Sequence, residues 1–135
     1  MNINDIKSIR RGSAVYVVFP DGGVERRTVR TVNWTDGPSP EIYTYGDHDD
    51  MDAVCGPYSP DEIEGIPLAR MEKPQLVSVG FDPNTCVIWL NDNLYFCRDE
   101  NGDIQLGFDE YYVTSVDFLH ELQNIYFDIT KKELL

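Results

Sequence analysis

The chain has 135 residues, a formal net charge of -13, and 41% hydrophobic and 12% aromatic side chains. That length suits one domain that buries about two-thirds of its unfolded surface, and the aromatic mass excludes a disordered chain. The acidity sets the protein against nucleic-acid phosphate and anionic lipid, so direct nucleic-acid binding is not expected.

No apolar run approaches the roughly 20 residues that span a bilayer, and the start MNINDIKSIRRG lacks an apolar leader segment. A soluble, cytoplasmic protein is the expectation. The cysteines, Cys55, Cys86 and Cys97, are odd in number and form no C-x-x-C pair, so neither a disulfide framework nor a zinc knuckle is indicated. A Cys86–Cys97 bridge across a hairpin is allowed but not required, and reduced thiols suit a cytosolic setting.

In chain order, Ala14–Phe19 (AVYVVF) reads as a buried strand, and Pro20-Asp21-Gly22-Gly23 as a turn. Val24 to Trp34 continues as a second strand, with a bulge or twist expected where Arg26 and Arg27 stand side by side. This N-terminal hairpin could be completed as an SH3-like partial barrel. Between Thr35 and Pro60, prolines and glycines break the pattern, and only Glu41–Tyr45 looks strand-like. Ser59-Pro60-Asp61-Glu62 can open a single helical turn. Pro74 and Gly80 bracket a short central helix near residues 71–79.

A meander follows. Thr85–Leu90, Leu94–Arg98 and Ile104–Phe108 are strands, and Asn101-Gly102 supplies the tight reversal between the last two. Thr114 with Asp117 has the form of a capping box. Val116, Leu119, Leu122, Ile125, Tyr126 and Ile129 recur at helical spacing up to Lys131-Lys132. The expected architecture is a single α+β domain over residues 1–135, in which an antiparallel hairpin and meander pack against a C-terminal helix.

Two stretches resemble elements of a family of small uncharacterised proteins of gut anaerobic bacteria and their phages or mobile elements. Gly65-Ile66-Pro67-Leu68, the short helix and Val79-Gly80-Phe81 resemble its "IPLT…L…GF" element. Phe118-Leu119-His120-Glu121-Leu122-Gln123-Asn124-Ile125-Tyr126-Phe127, with Thr130 and Glu133-Leu134, resembles its closing helix. Ile9, Gly12 and Val15-Tyr16-Val17 fit its opening strand more loosely. The aspartate-rich stretch at 47–52 has no counterpart there, and Lys131-Lys132 replaces the usual Thr-Gly. The resemblance implies a cytosolic bacterial or phage origin and a fold, and no chemistry.

Several constellations are candidates for function. Asp47, His48, Asp49, Asp50 and Asp52 place oxygens and an imidazole within six residues, as a metal site would, but lack the glycine and distal Glu of a calcium loop. A solvated loop accounts for them better. Asp99, Asn101, Asp103 and Glu110 match EF-hand positions one, three, five and twelve, yet Ile104 stands where glycine is needed, and a hairpin explains them.

His120, Gln123 and Asn124 share one side of the last helix, suited to acid–base or positioning work and, more ordinarily, to structural hydrogen bonds. Tyr43, Tyr45 and Tyr58 lie in the irregular segment and would serve as protein-contact anchors if exposed. Lys7, Arg10, Arg11, Arg26, Arg27 and Arg30 concentrate positive charge before residue 36, to be paired with carboxylates or presented as a basic face.

No Walker, G-x-G-x-x-G or G-x-S-x-G motif is present, and no catalytic residue or cofactor is assigned. The favoured expectation is a non-enzymatic factor that binds protein, with nucleic-acid imitation by the acidic surface as one form of it. The alternatives are a small metal-dependent or hydrolytic enzyme built on His48 and its aspartates or on His120, and a structural subunit of a homo-oligomer.

Overall fold

Strand β1 (Ala14–Val18) forms where β-branched residues alternate, burying Val15 and Val17 completely and leaving Tyr16 half-exposed. The computed structural model describes residues 1–34, 39–46 and 53–134, and divides into two compact units, Met1–Ile66 and Pro67–Leu135. Each unit has its own antiparallel sheet, so the N-terminal hairpin and the later meander belong to different sheets.

In the first unit a single helical turn, α1 (Ile3–Ile6), precedes β1. The turn to β2 (Val24–Asn33) is closed by Asp21 Oδ1, which accepts the Gly23 amide at 2.8 Å, while Gly22 takes a φ of +86°. Pairing runs unbroken from Ala14↔Thr28 to Val18↔Val24, so the irregularity expected at Arg26–Arg27 does not form. Arg26 is exposed and Arg27 lies opposite Val15, which keeps the period of two intact. The register shift falls instead at Val29–Thr31, against β3 (Glu41–Tyr45).

Two strands in this unit have no clear sequence signal. β4 (Val54–Tyr58, VCGPY) carries a glycine and a proline, which an edge strand tolerates. A 3₁₀ turn at Pro60–Glu62 then leads into the three-residue β5 (Ile63–Gly65). Ser59 closes that turn by donating its amide to Glu62 Oε1 at 3.1 Å.

The strand order is β4-β3-β2-β1-β5. The last strand returns beside the first, and β4 and β5 remain as edges. Ile6, Ile9, Val15, Val17, Val29, Ile42 and Ile63 make the core of this unit.

The second unit opens with a 3₁₀ turn at Leu68–Arg70 and helix α2 (Lys73–Ser78). Pro74 lies in its first turn. At its end the Phe81 amide donates to Leu76 O and the Gly80 amide to Val77 O, both at 3.1 Å, with Gly80 at φ +121°. Both expected ends of this helix are therefore met.

The meander comprises β6 (Val87–Trp89), β7 (Leu94–Arg98), β8 (Ile104–Phe108) and β9 (Tyr111–Val116), paired in that order. β6 starts later than expected, because Asp82 Oδ1 accepts the amides of Asn84 and Thr85 and Cys86 takes a φ of +56°. Between β7 and β8 the Gly102 amide donates to Asp99 O at 3.1 Å and Gly102 takes a φ of +89°. The reversal is thus a three-residue loop with its glycine in the left-handed region.

The expected cap at Thr114 is not formed, since Thr114 is in β9. Helix α3 (Leu119–Thr130) starts after Phe118 and ends at Lys131, φ +61°. Its Leu119 and Leu122 are buried, Ile125 and Tyr126 half-buried, and Ile129 exposed. Two antiparallel sheets of five and four strands with a C-terminal helix make this an α+β fold. No helix among the described residues is long and apolar enough to cross a membrane.

Candidate functional site

Residues directly opposite each other on neighbouring strands share a face of the sheet. In the second unit Ile88, Phe96, Ile104 and Val116 are buried on one face. The opposite face carries the register row Trp89, Tyr95, Gly107, Tyr112. Trp89 and Tyr95 pack with ring centroids 5.0 Å apart and their planes tilted by 54°.

Gly107 is needed in this row. A Cβ there would stand 2.5 Å from Tyr95 Cζ, so the tyrosine ring lies flat over the glycine and its hydroxyl donates to Asp109 O at 2.8 Å. Tyr112 pairs with the thiol of Cys97, which holds the phenol above its ordinary pKa, while burial raises the thiol. Both are neutral near pH 7, and the thiol is not an activated nucleophile. All three cysteines are free.

This row ends on an open edge. Among the described residues β9 pairs only with β8, and Tyr111–Ser115 is exposed along its whole length. Trp89, Tyr112 and Val113 are each 60% exposed and Tyr111 74%. The strand carries no charge, but Asp109 and Glu110 before it and Asp117 after it are exposed carboxylates. Beyond its end the chain is occupied: the Leu68 amide donates to Asp117 O at 2.9 Å, and Pro67 bridges Phe118. At the other end of the row, Trp89, Leu90, Asn91 and Asp92 line a shallow depression of ≈ 430 Å³. Aromatic faces beside carboxylates attract cationic side chains.

The residues singled out in the sequence fall elsewhere. Tyr43, Tyr45 and Tyr58 are on β3 and β4 and are half-buried. Tyr43 donates to Glu41 Oε2 at 3.4 Å. Tyr58 packs against the core of the first unit, and burial raises its pKa. Tyr45 accepts a hydrogen bond from Arg11 Nη2 at 3.0 Å and lies 5.7 Å under the Arg30 guanidinium. Arg27 pairs with Glu25 at 2.9 Å, whereas Arg11 and Arg26 are exposed.

On α3, His120 and Gln123 are 2% and 1% exposed and Asn124 is half-buried. The His120 ring stacks on Phe118 at 5.8 Å. Asp99 accepts the amides of Asn101 and Asp103 and the side chain of Gln105, which holds its carboxyl below the usual range. Asp99, Asn101 and Asp103 therefore build one turn, and Glu110 belongs to the next. Asp47, His48, Asp49, Asp50 and Asp52 lie outside the described residues. Among the described residues no three His, Cys, Asp or Glu side chains are grouped to hold a metal.

The sequence reading missed β9. Its signal was the uncharged aromatic and β-branched run YYVTSV after Asp109-Glu110, overridden by the helical spacing of Val116 with Leu119. Comparison with family models, with curated proteins and with solved structures finds no match to this chain.

Proposed function

We propose that the protein is a non-enzymatic protein-binding factor that meets its partner through the aromatic face and outer edge of the second unit's sheet. The carrying observation is the register row: Trp89, Tyr95, Gly107 and Tyr112 share one face of the sheet, with Trp89 and Tyr112 at its two ends each 60% exposed. Single exposed apolar residues are ordinary, but a connected aromatic patch with a polar rim is what interfaces bury. Tryptophan and tyrosine also lead the residues whose loss costs most binding energy.

The test is affinity capture from lysate of the native host, comparing wild type with Trp89→Ser/Tyr112→Ser at low and high salt. Stoichiometric capture by wild type and loss with the double variant is the expected result. A partner held equally by both forms would move the interface off this face. Failure of both to capture anything, with a stable homo-oligomer in sedimentation, would replace the reading with a structural subunit.

A further inference from the structure

Resting on that reading, we propose that β9 accepts an added strand from its partner, an extended segment with a β-branched or aromatic centre and Lys or Arg at both ends. An edge strand offers a row of unused backbone donors and acceptors, and strand addition satisfies them while side chains on alternate positions set specificity. Tyr111–Ser115 runs about 16 Å at roughly 3.3 Å per residue, enough for one ordinary strand, with alternate residues turning their backbone groups outward on either side of the register shift at Val113.

Charge decides the occupant. β9 is neutral, but Asp109 and Glu110 flank one end and Asp117 the other. A second copy added antiparallel sets Asp109 and Glu110 of each chain beside Asp117 of the other. A second copy added parallel places like ends together. Both arrangements bring carboxylate against carboxylate, which is unfavourable. A segment with cations at both ends inverts every one of these contacts, and its side chains can reach the aromatic face of Tyr112, on β9 itself.

The probe is a synthetic nonapeptide with a Val-Thr-Val-Thr-Val centre and two lysines at each end, titrated into the whole ¹⁵N-labelled chain. Saturable shifts confined to β9 and its neighbours, with slowed amide exchange in Tyr111–Ser115, are expected. The same peptide N-methylated at alternate residues keeps its charges and side chains but loses strand donors, and at least tenfold weaker binding is expected. Glu110→Lys/Asp117→Lys should likewise weaken the lysine peptide at least tenfold.

Equal binding of the methylated peptide would overturn strand addition yet leave the aromatic surface standing, since Tyr112→Ser would still weaken both peptides. Equal or tighter binding of a glutamate-flanked peptide would overturn the charge argument. No binding of the lysine peptide together with concentration-dependent dimerisation would give the edge to a second copy.

Discussion

Arg27 shows how a charged side chain can hold a core position. Its side chain is 9% exposed, Nη2 meets Glu25 Oε2 at 2.9 Å, and among the described residues Cys55 and Tyr58 also lie beside the guanidinium. The bond to Glu25 raises the guanidinium pKa, so it stays charged at any pH that supports folding. Replacing a buried ion with an apolar side chain of similar length is often neutral or stabilising, whereas removing its partner strands the charge. Arg27→Met is therefore expected to leave stability in urea unchanged or higher. Glu25→Gln should cost about 1–3 kcal/mol, because the guanidinium remains while its charged acceptor goes. The reverse ranking would place the value of the pair in Arg27's own packing. Gly107 makes the complementary case on the other sheet. Gly107→Ala displaces the Tyr95 ring, which overpacking data put at about 1–3 kcal/mol. That cost should shrink in a Tyr95→Leu background, measured as a double-mutant cycle.

At the scale of elements, the β7–β8 hairpin links stability to pH. The Asp99 carboxylate is lowered first by the Gln105 side chain and then by the turn amides, against an opposing effect of burial. A carboxyl depressed in the folded state contributes stability above its unfolded pKa, near about 4, and loses it as pH falls through the folded value. Asp99→Asn should flatten the decline in stability below pH ~4, with little change in slope near neutrality. An unchanged acid limb would assign the decline to other carboxylates, Asp82 among them, which is lowered by its own turn amides. Elements with local signals were legible from the chain: the Asp21–Gly23 turn, the helix between Pro74 and Gly80, and the Asn101-Gly102 reversal. Elements defined by distant partners were not. β5 has three residues and exists because β1 needs a second neighbour, while β4 contains the residues that normally end a strand. The helical spacing of Val116 with Leu119 hid the last strand, and with it the surface proposed for binding. The tyrosines chosen as anchors were in strands, half-covered by their own unit.

Across the whole molecule, a net charge of -13 on 135 residues opposes compaction by self-repulsion. Unfolding spreads these charges, and salt screens them over a Debye length of about 10 Å at 0.1 M. Raising KCl from low concentration should therefore raise Tm by a few degrees in a thermal melt. A fall in Tm would mean that attractive contacts, such as those of Arg11, Arg27 and Arg30, outweigh the repulsion. Salt should act oppositely on capture of the proposed cationic segment, because the carboxylates flanking β9 would attract it. Divergent salt responses of folding and binding are the signature expected when one charge set opposes the first and drives the second.

The two tryptophans, Trp34 and Trp89, are 40% and 60% exposed in the folded chain. Indole emission follows the polarity around the ring, so folding this protein should move its fluorescence maximum little, and optical melts that depend on it will under-report the transition. Covering the aromatic row has the opposite consequence: a partner that lies across the face as far as Trp89 would shift emission to the blue and shield the indole from aqueous quenchers. The chain carries its own optical gauge of occupancy, one that reads association far better than it reads folding.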